Sequence, residues 1–285
     1  MSGYVIKPKR SNETWLSEYS TDNLKLSLRI KNFIHSEKTQ YQDLLIADTY
    51  EYGRVMMLDG AYQLTEKDEF CYSEMMAHVP LCAHKNPEKV LIIGGGDGAI
   101  MREVLKHDCV KKCTLIDIDE RVVECARKFL HFAGCPQNSA DERVDVKCMD
   151  AMKFIHETSE LYDAVIIDST DPVDFAAGLF QSDFYSDVKK IMSPDAMLSE
   201  LAESPFTDSD LVAQEINEMR KIFPIVKLYW GVVPTYPTGM WTYGIASMKD
   251  EPSEPLRSVN NTKYYTNEIH RASFVLPPFI EELIK

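Results

Sequence analysis

The first 66 residues read as β-rich, with apolar and polar positions alternating in twos at residues 24–31. Beyond them, short apolar runs alternate with helical stretches. Leu24, Leu26, Leu28 and Ile30 alternate with Lys25, Ser27, Arg29 and Lys31, which predicts a strand with one buried face. Tyr41 to Asp48, which includes Gln42, reads as a second strand. Tyr52-Gly53-Arg54 turns the chain into Val55-Met-Met-Leu58, and Asp59-Gly60 is a hairpin signal before Ala61 to Thr65, which carries Gln63. Residues 1–66 are therefore expected to form a small antiparallel β domain. Asp68 to His84 predicts a helix whose acidic start suits the positive end of the helix dipole. Phe70, Met75, Met76 and Val79 supply its apolar surface, with Tyr72 among them.

From Lys89 onward the pattern predicts strands near 90–93, 113–117, 143–148, 163–168 and 197–201. Helices are predicted near 98–107, 119–131, 150–157, 181–192 and 207–222. Such alternation builds a parallel sheet with right-handed crossovers. Ile225 to Val233 and Trp241 to Ser247 have no helix between them, so an antiparallel hairpin closes the sheet. Their connection, Pro234 to Gly239, is turn-rich and carries Tyr236. The expected fold class is α/β: residues 67–285 form a Rossmann-like, seven-stranded sheet of the kind found in S-adenosylmethionine-dependent enzymes. Residues 250–285 read as a tail, with Pro277-Pro278 before a short helix.

The chemistry concentrates where the first of these apolar runs ends. Val90 to Ile93 stops at Gly94-Gly95-Gly96-Asp97-Gly98, and Gly94-x-Gly96-x-x-Ala99 is a permissible dinucleotide fingerprint. Glycines let the backbone turn tightly and lie against a ligand. The next three apolar runs end in Asp117, Asp150 and Asp168. Ligands of open α/β sheets sit at the carboxyl ends of the strands, so Asp97, Asp117, Asp150 and Asp168 are expected to face one cleft. One such Asp is an ordinary cap or loop residue; four in register describe a site.

Composition narrows the partners. A net charge of −14 on 285 residues argues against nucleic acid, which needs a basic surface. It favours a cationic ligand by steering, and it also serves solubility. Apolar content of 45% and a mean hydropathy of −0.26 describe a soluble globular protein. Seven cysteines show no C-x-x-C pair and no zinc spacing, so all are expected to be reduced thiols of a cytoplasmic protein. No secretion signal and no run of membrane length is present.

Asp168-Ser169-Thr170-Asp171-Pro172 puts a second carboxylate beside the cleft. Two such groups could bind a metal, act as acid and base, or hold a polycation. With no His nearby only a hard-cation site would remain, so no metal is expected here. A cationic amine fits better, because a carboxylate can neutralise an ammonium and take its proton.

At these residues the chain resembles the spermidine synthase family of aminopropyltransferases. The matching segments are Tyr41-Gln42-Asp43, Leu58-Asp59-Gly60, Asp68-Glu69-Phe70-x-Tyr72-x-Glu74-Met75 and His78-Val-Pro-Leu81. They continue with Gly94 to Gly98, Arg102-Glu103-Val104, Asp168-x-x-Asp171-Pro172, Glu203-Ser-Pro-Phe206, Pro234-Thr-Tyr-Pro237, Tyr264-Tyr265 and His270-Arg271-Ala272. The resemblance implies transfer of an aminopropyl group from decarboxylated S-adenosylmethionine, a co-substrate rather than a cofactor, to a diamine such as putrescine. It implies that Asp117 holds the ribose and Asp150 the adenine amino group, with Gln42, Gly94, Gly96 and Ala151 around the nucleoside. Asp97 would hold the aminopropyl ammonium. Asp168 with Tyr72 would position and deprotonate the attacking amine. Gln63, Asp171, Glu203 and Tyr236 would line the amine channel. A homodimer or homotetramer is implied as well.

Some positions depart from the family pattern. Ser73 stands where His or Gln is usual, Asp174-Phe175-Ala176-Ala177 replaces a Gly-Pro-Ala-Glu loop, Asp195-Ala196 replaces Gly-Gly, and Leu201 replaces Gln. These changes leave agmatine, cadaverine or spermidine open as acceptors. They also leave open a donor that keeps its carboxylate, although the acid at Asp97 would repel it. Three other readings compete. A methyltransferase would place its substrate carboxylate where Asp97 stands. An NAD-dependent oxidoreductase lacks its hydride-site residues here. The third is a polyamine-binding protein without catalysis.

Overall fold

The structure is a computed structural model that describes residues 13–134, 141–169 and 182–285. Five strands come first: β1 (Trp15–Thr21), β2 (Leu24–Lys38), β3 (Asp43–Thr49), β4 (Arg54–Leu58) and β5 (Ala61–Thr65). They pair antiparallel in chain order. β1 carries no clean alternation because both of its faces stay partly exposed. β2 runs on to Lys38 through two register shifts, near Asn32 and near His35. Tyr41 and Gln42 fall in the turn after it rather than in a strand. The Thr39 N–H donates to the Gln42 carbonyl at 2.9 Å, and the Gln42 N–H returns a bond to Thr39 Oγ1 at 3.0 Å.

α1 (Glu69–Ala83) follows, buried on nearly every side. The second sheet and its helices are β6 (Lys89–Gly94), α2 (Ala99–Val104), β7 (Lys112–Asp117), α3 (Glu120–Phe129), β8 (Val144–Cys148), α4 (Ala151–Glu157), β9 (Tyr162–Asp168), α5 (Ser182–Lys190), β10 (Met192–Leu201), α6 (Ser209–Ile222), β11 (Ile225–Val232) and β12 (Met240–Ser247). Two short helices close the chain, α7 (Asn267–Ser273) and α8 (Pro278–Leu283). The sheet order is β11-β12-β10-β9-β6-β7-β8, with β6 to β10 parallel and β12 antiparallel to both of its neighbours. β6 has β7 on one side and β9 on the other. The strand order reverses there, which opens a crevice at the carboxyl ends.

Alternation on the central strands sorts the core into two layers. Ile92, Ala164, Ile166 and Met197 pack with Met75, Met76 and Val79 of α1. Leu91, Val165, Ile167 and Leu198 pack with Phe184, Val212 and Ile216 of α5 and α6. A third cluster joins the two sheets: Leu44, Ile46, Met56 and Leu64 meet Ala99, Val122 and Ala126. Among the described residues no helix is long and apolar enough to cross a membrane.

Two buried acids serve the fold. Glu200, in the middle of β10, is fully buried and accepts the Tyr185 hydroxyl at 2.7 Å; burial raises its pKa. Glu74 of α1 accepts the backbone N–H groups of Lys263, Tyr264 and Tyr265, each at 2.8 Å, and so fastens the C-terminal segment to the helix. Glu74→Ala would leave three donors without their acceptor and is expected to cost about 2–4 kcal/mol of folding stability in chemical denaturation.

Candidate active site

A cavity of about 630 Å³ opens at the switch point between β6 and β9. Its floor is the turn from β6 into α2. Gly94 and Gly95 take φ of +81° and +67°, and the Gly95 N–H donates to the Asp168 carbonyl at 3.0 Å. A Cβ on Gly94 would lie 1.9 Å from that carbonyl oxygen, and one on Gly96 would lie 2.5 Å from Asp117 Oδ2. The glycines thus let two carboxylate-bearing strand ends close around the loop.

The four acids named from the strand ends all line this cavity. Asp117 accepts the Gly96 N–H at 2.9 Å and the Asp119 N–H at 2.8 Å, which fixes its plane. Asp150 caps α4 through the Lys153 N–H at 3.0 Å. It is therefore an ordinary helix cap and a wall residue at once. Asp97 accepts the Ala99 N–H at 2.8 Å. Asp168 accepts the Tyr72 hydroxyl on Oδ1 at 2.6 Å.

Gln42, Gln63, Tyr72, Ala151 and Tyr236 also line the cavity. Tyr236 donates to the Gln63 carbonyl at 2.7 Å, and its ring lies 5.6 Å from that of Tyr72. Two expectations fall differently. Among the described residues Glu203 is not one of those lining this cavity; its backbone takes φ +66°, and its carbonyl accepts the Thr242 N–H and hydroxyl, at 3.0 and 2.9 Å. Asp171 lies outside the described residues, as do Asp174 to Ala177.

Two acids that the sequence did not mark hold the wall in place. Asp119 caps α3 and accepts both Thr39 Oγ1 at 2.7 Å and Gln42 Nε2 at 3.0 Å, so Gln42 is aimed by a neighbour. Asp68 accepts Thr65 Oγ1 at 2.5 Å and both the N–H and hydroxyl of Thr235, at 2.9 and 2.7 Å, which seats the Tyr236 loop. The Thr65-x-x-Asp68 spacing was the available signal. Ser73 donates to the Glu69 side chain at 2.8 Å, and Arg102 donates to the same oxygen at 2.8 Å.

Crowding these acids has a cost. Burial pushes Asp117 up to about 6, against the pull of its two backbone donors. Burial raises both Asp97 and Asp168; the charge of Asp168 lifts Asp97 further, and that of Asp117 lifts Asp168. Burial, with the negative charge beside it, also lifts the Tyr72 phenol far above its ordinary range, so that hydroxyl remains a donor. An acid whose pKa is higher folded than unfolded adds stability at low pH and loses it as pH rises through the folded value. Asp97→Asn is therefore expected to raise the melting temperature of the ligand-free protein by a few degrees at pH 8. The gain should shrink toward pH 4, as read by calorimetry across that window.

A seven-stranded sheet with its glycine turn, strand-end acids and closing hairpin defines the Rossmann-like transferase class that binds S-adenosyl nucleosides. Residues 69–255 match the spermine/spermidine synthase domain, and residues 14–66 match the spermidine synthase tetramerisation domain. The chain belongs to the spermine/spermidine synthase family of polyamine aminopropyltransferases. It is 45% identical over 277 residues to the polyamine aminopropyltransferase of Caldicellulosiruptor bescii, covering 96% of this chain and 99% of that one. To the enzyme of that name from Thermoanaerobacter sp. (strain X514) it is 46% identical, covering 95% and 98%. A solved spermidine synthase in complex with the transition state analogue AdoDATO superposes with a TM-score of 0.91 at 38% identity, over 96% of each chain. Spermidine synthase from Thermotoga maritima gives 0.90 at 39%, over 96% of this chain and 94% of that one.

Proposed function

We propose that this aminopropyltransferase is a spermidine synthase. It moves the aminopropyl group of decarboxylated S-adenosylmethionine to putrescine and yields spermidine and methylthioadenosine. The observation that carries the reading is the 2.6 Å bond from Tyr72 to Asp168, set across the glycine turn from Asp97.

The nucleoside lies along the Asp117 and Asp150 side, with the ribose on Asp117, the adenine near Asp150 and Ala151, and Gln42 over it. The donor's ammonium meets Asp97. The amine enters between Gln63, Tyr72 and Tyr236. Its terminal ammonium gives a proton to Asp168, for which the raised pKa suits that carboxylate as base. The freed lone pair forms a bond to the carbon next to sulfur. The carbon–sulfur bond breaks, and sulfur keeps its electron pair as a neutral thioether. No group has to protonate this leaving group, so alignment is the main task and the reaction calls on no metal or cofactor.

Support for an oligomer comes from the tetramerisation-domain match and from the N-terminal sheet, which exposes Trp15, Tyr19, Phe33 and Tyr50. Apolar rings set together on one sheet mark a contact surface. We read the protein as a homodimer or homotetramer of the cytoplasm; sedimentation as a monomer at micromolar concentration would refute the assembly. The function is tested by mass spectrometry with putrescine, cadaverine, agmatine and spermidine as acceptors, each with both donor forms. Preferred turnover of putrescine with the decarboxylated donor is the expected result; preference for another amine overturns the assignment.

A further inference from the structure

Away from the cavity, β2 and α3 bring together a nitrogen, an oxygen and a sulfur ligand. His35 Nε2 lies 3.3 Å from Glu37 Oε1, and Cys125 Sγ lies 3.4 Å from that same oxygen. All three ligand atoms are within 4.8 Å of one another. His35 Nε2 is buried without a hydrogen-bond partner, and Cys125 is 2% exposed. The His35 ring is stacked on Phe129 at 5.2 Å, which fixes the direction of its nitrogen. Among the described residues this is the one cluster of three such side chains with metal-ligand spacing.

We propose that His35, Glu37 and Cys125 form a zinc site. A tetrahedral zinc ion with bonds of about 2.0–2.3 Å sets its ligand atoms roughly 3.3–3.7 Å apart. Two of the three edges already have nearly that length, and closing the third needs the Cys125 and His35 side chains to move by only about 1 Å. The mixed nitrogen, oxygen and sulfur set selects a borderline ion over magnesium or calcium, which take oxygen ligands. Zinc accepts lone pairs from His35 Nε2, one Glu37 oxygen and the Cys125 thiolate; the thiol proton leaves to solvent, and water completes the shell. Arg121 now holds both Glu37 oxygens, at 3.1 Å each. It keeps Oε2 when zinc takes Oε1, as outer-shell partners of metal-bound carboxylates do. Two anionic ligands neutralise the ion, so the Arg121 charge stays tolerable beside Glu124, its other partner.

The site would fasten the N-terminal sheet to α3. That junction matters, because the turn after β2 supplies Tyr41 and Gln42 to the cavity, α3 supplies Val122, and Asp119, which caps α3, holds Gln42. A metal there is a tie behind the nucleoside wall, distinct from the reacting centre.

The test is equilibrium dialysis of the full chain against zinc, with cobalt substitution read as a thiolate-to-cobalt charge-transfer band. One ion per chain is expected. His35→Gln and Cys125→Ala should each weaken zinc binding by at least about tenfold and abolish the band. Cys148→Ser, which removes an exposed thiol, should change neither. If Cys125→Ala folds poorly, His35→Gln, at a side chain 26% exposed, decides alone. The proposal is overturned if no zinc binds at micromolar concentration, if the band survives His35→Gln, or if Cys148→Ser removes it.

Discussion

Asp168→Asn is expected to lower turnover by about 10²–10⁴-fold while the affinity for methylthioadenosine changes little. The amide keeps the shape that accepts the Tyr72 hydroxyl at 2.6 Å, so the site should stay assembled. What it loses is the ability to take a proton, and an ammonium without a lone pair cannot attack. Single-turnover kinetics with product analysis separate the step: chemistry should slow and binding should persist. Turnover that survives while amine binding is lost would make Asp168 a binding group only. Tyr72→Phe sharpens the point. The Tyr72 bond lowers the Asp168 pKa against burial, so its removal should shift the acid limb of the kcat/KM profile to higher pH.

Gly94→Ala is expected to be the most damaging small change in the chain, costing about 3–5 kcal/mol of stability and abolishing nucleoside binding. Two effects add. The residue sits at φ +81°, where an L side chain is strained, and its Cβ would lie 1.9 Å from the Asp168 carbonyl oxygen. That oxygen belongs to backbone and cannot swing aside, so β6 and β9 must part at the point where the floor of the cavity forms. Denaturation midpoints and nucleoside titrations would measure both losses. Gly60→Ala is the control: it also has positive φ, +84°, but nothing lies within 4 Å of its Cβ, so the loss should be confined to backbone strain.

The sheet was legible because its central strands are nearly pure apolar runs that stop at acids or glycines. Two of the cavity-lining acids, Asp117 and Asp168, are the last residues of their strands, and Asp97 and Asp150 follow theirs within three residues, so reading the strand ends located all four. Elements with weaker contrast escaped. β1 hides no face well enough to impose alternation, and α7 lay in a stretch that read as a tail with a single short helix. β10 begins five residues before its predicted start, because Pro194 and a register shift interrupt the apolar run. Asp119 was missed because it acts by holding Gln42, a partnership that leaves no trace in local spacing; Asp68 had a local signal in its spacing from Thr65, but its hold on Thr235 had none. Glu203 shows the converse. A matching motif named it for the channel, whereas spacing gave no hint of its left-handed backbone or of its carbonyl bonds to Thr242.

The repulsion that Asp168 exerts on Asp97 is relieved by any cation that settles between them. Polyamines entering the cleft supply the counter-charge that folding leaves missing, so occupancy and heat resistance rise together. Thermal protection by amines will therefore grow with their valence and fade as salt screens the acids. Melting curves at low ionic strength can then rank acceptors before any product is measured.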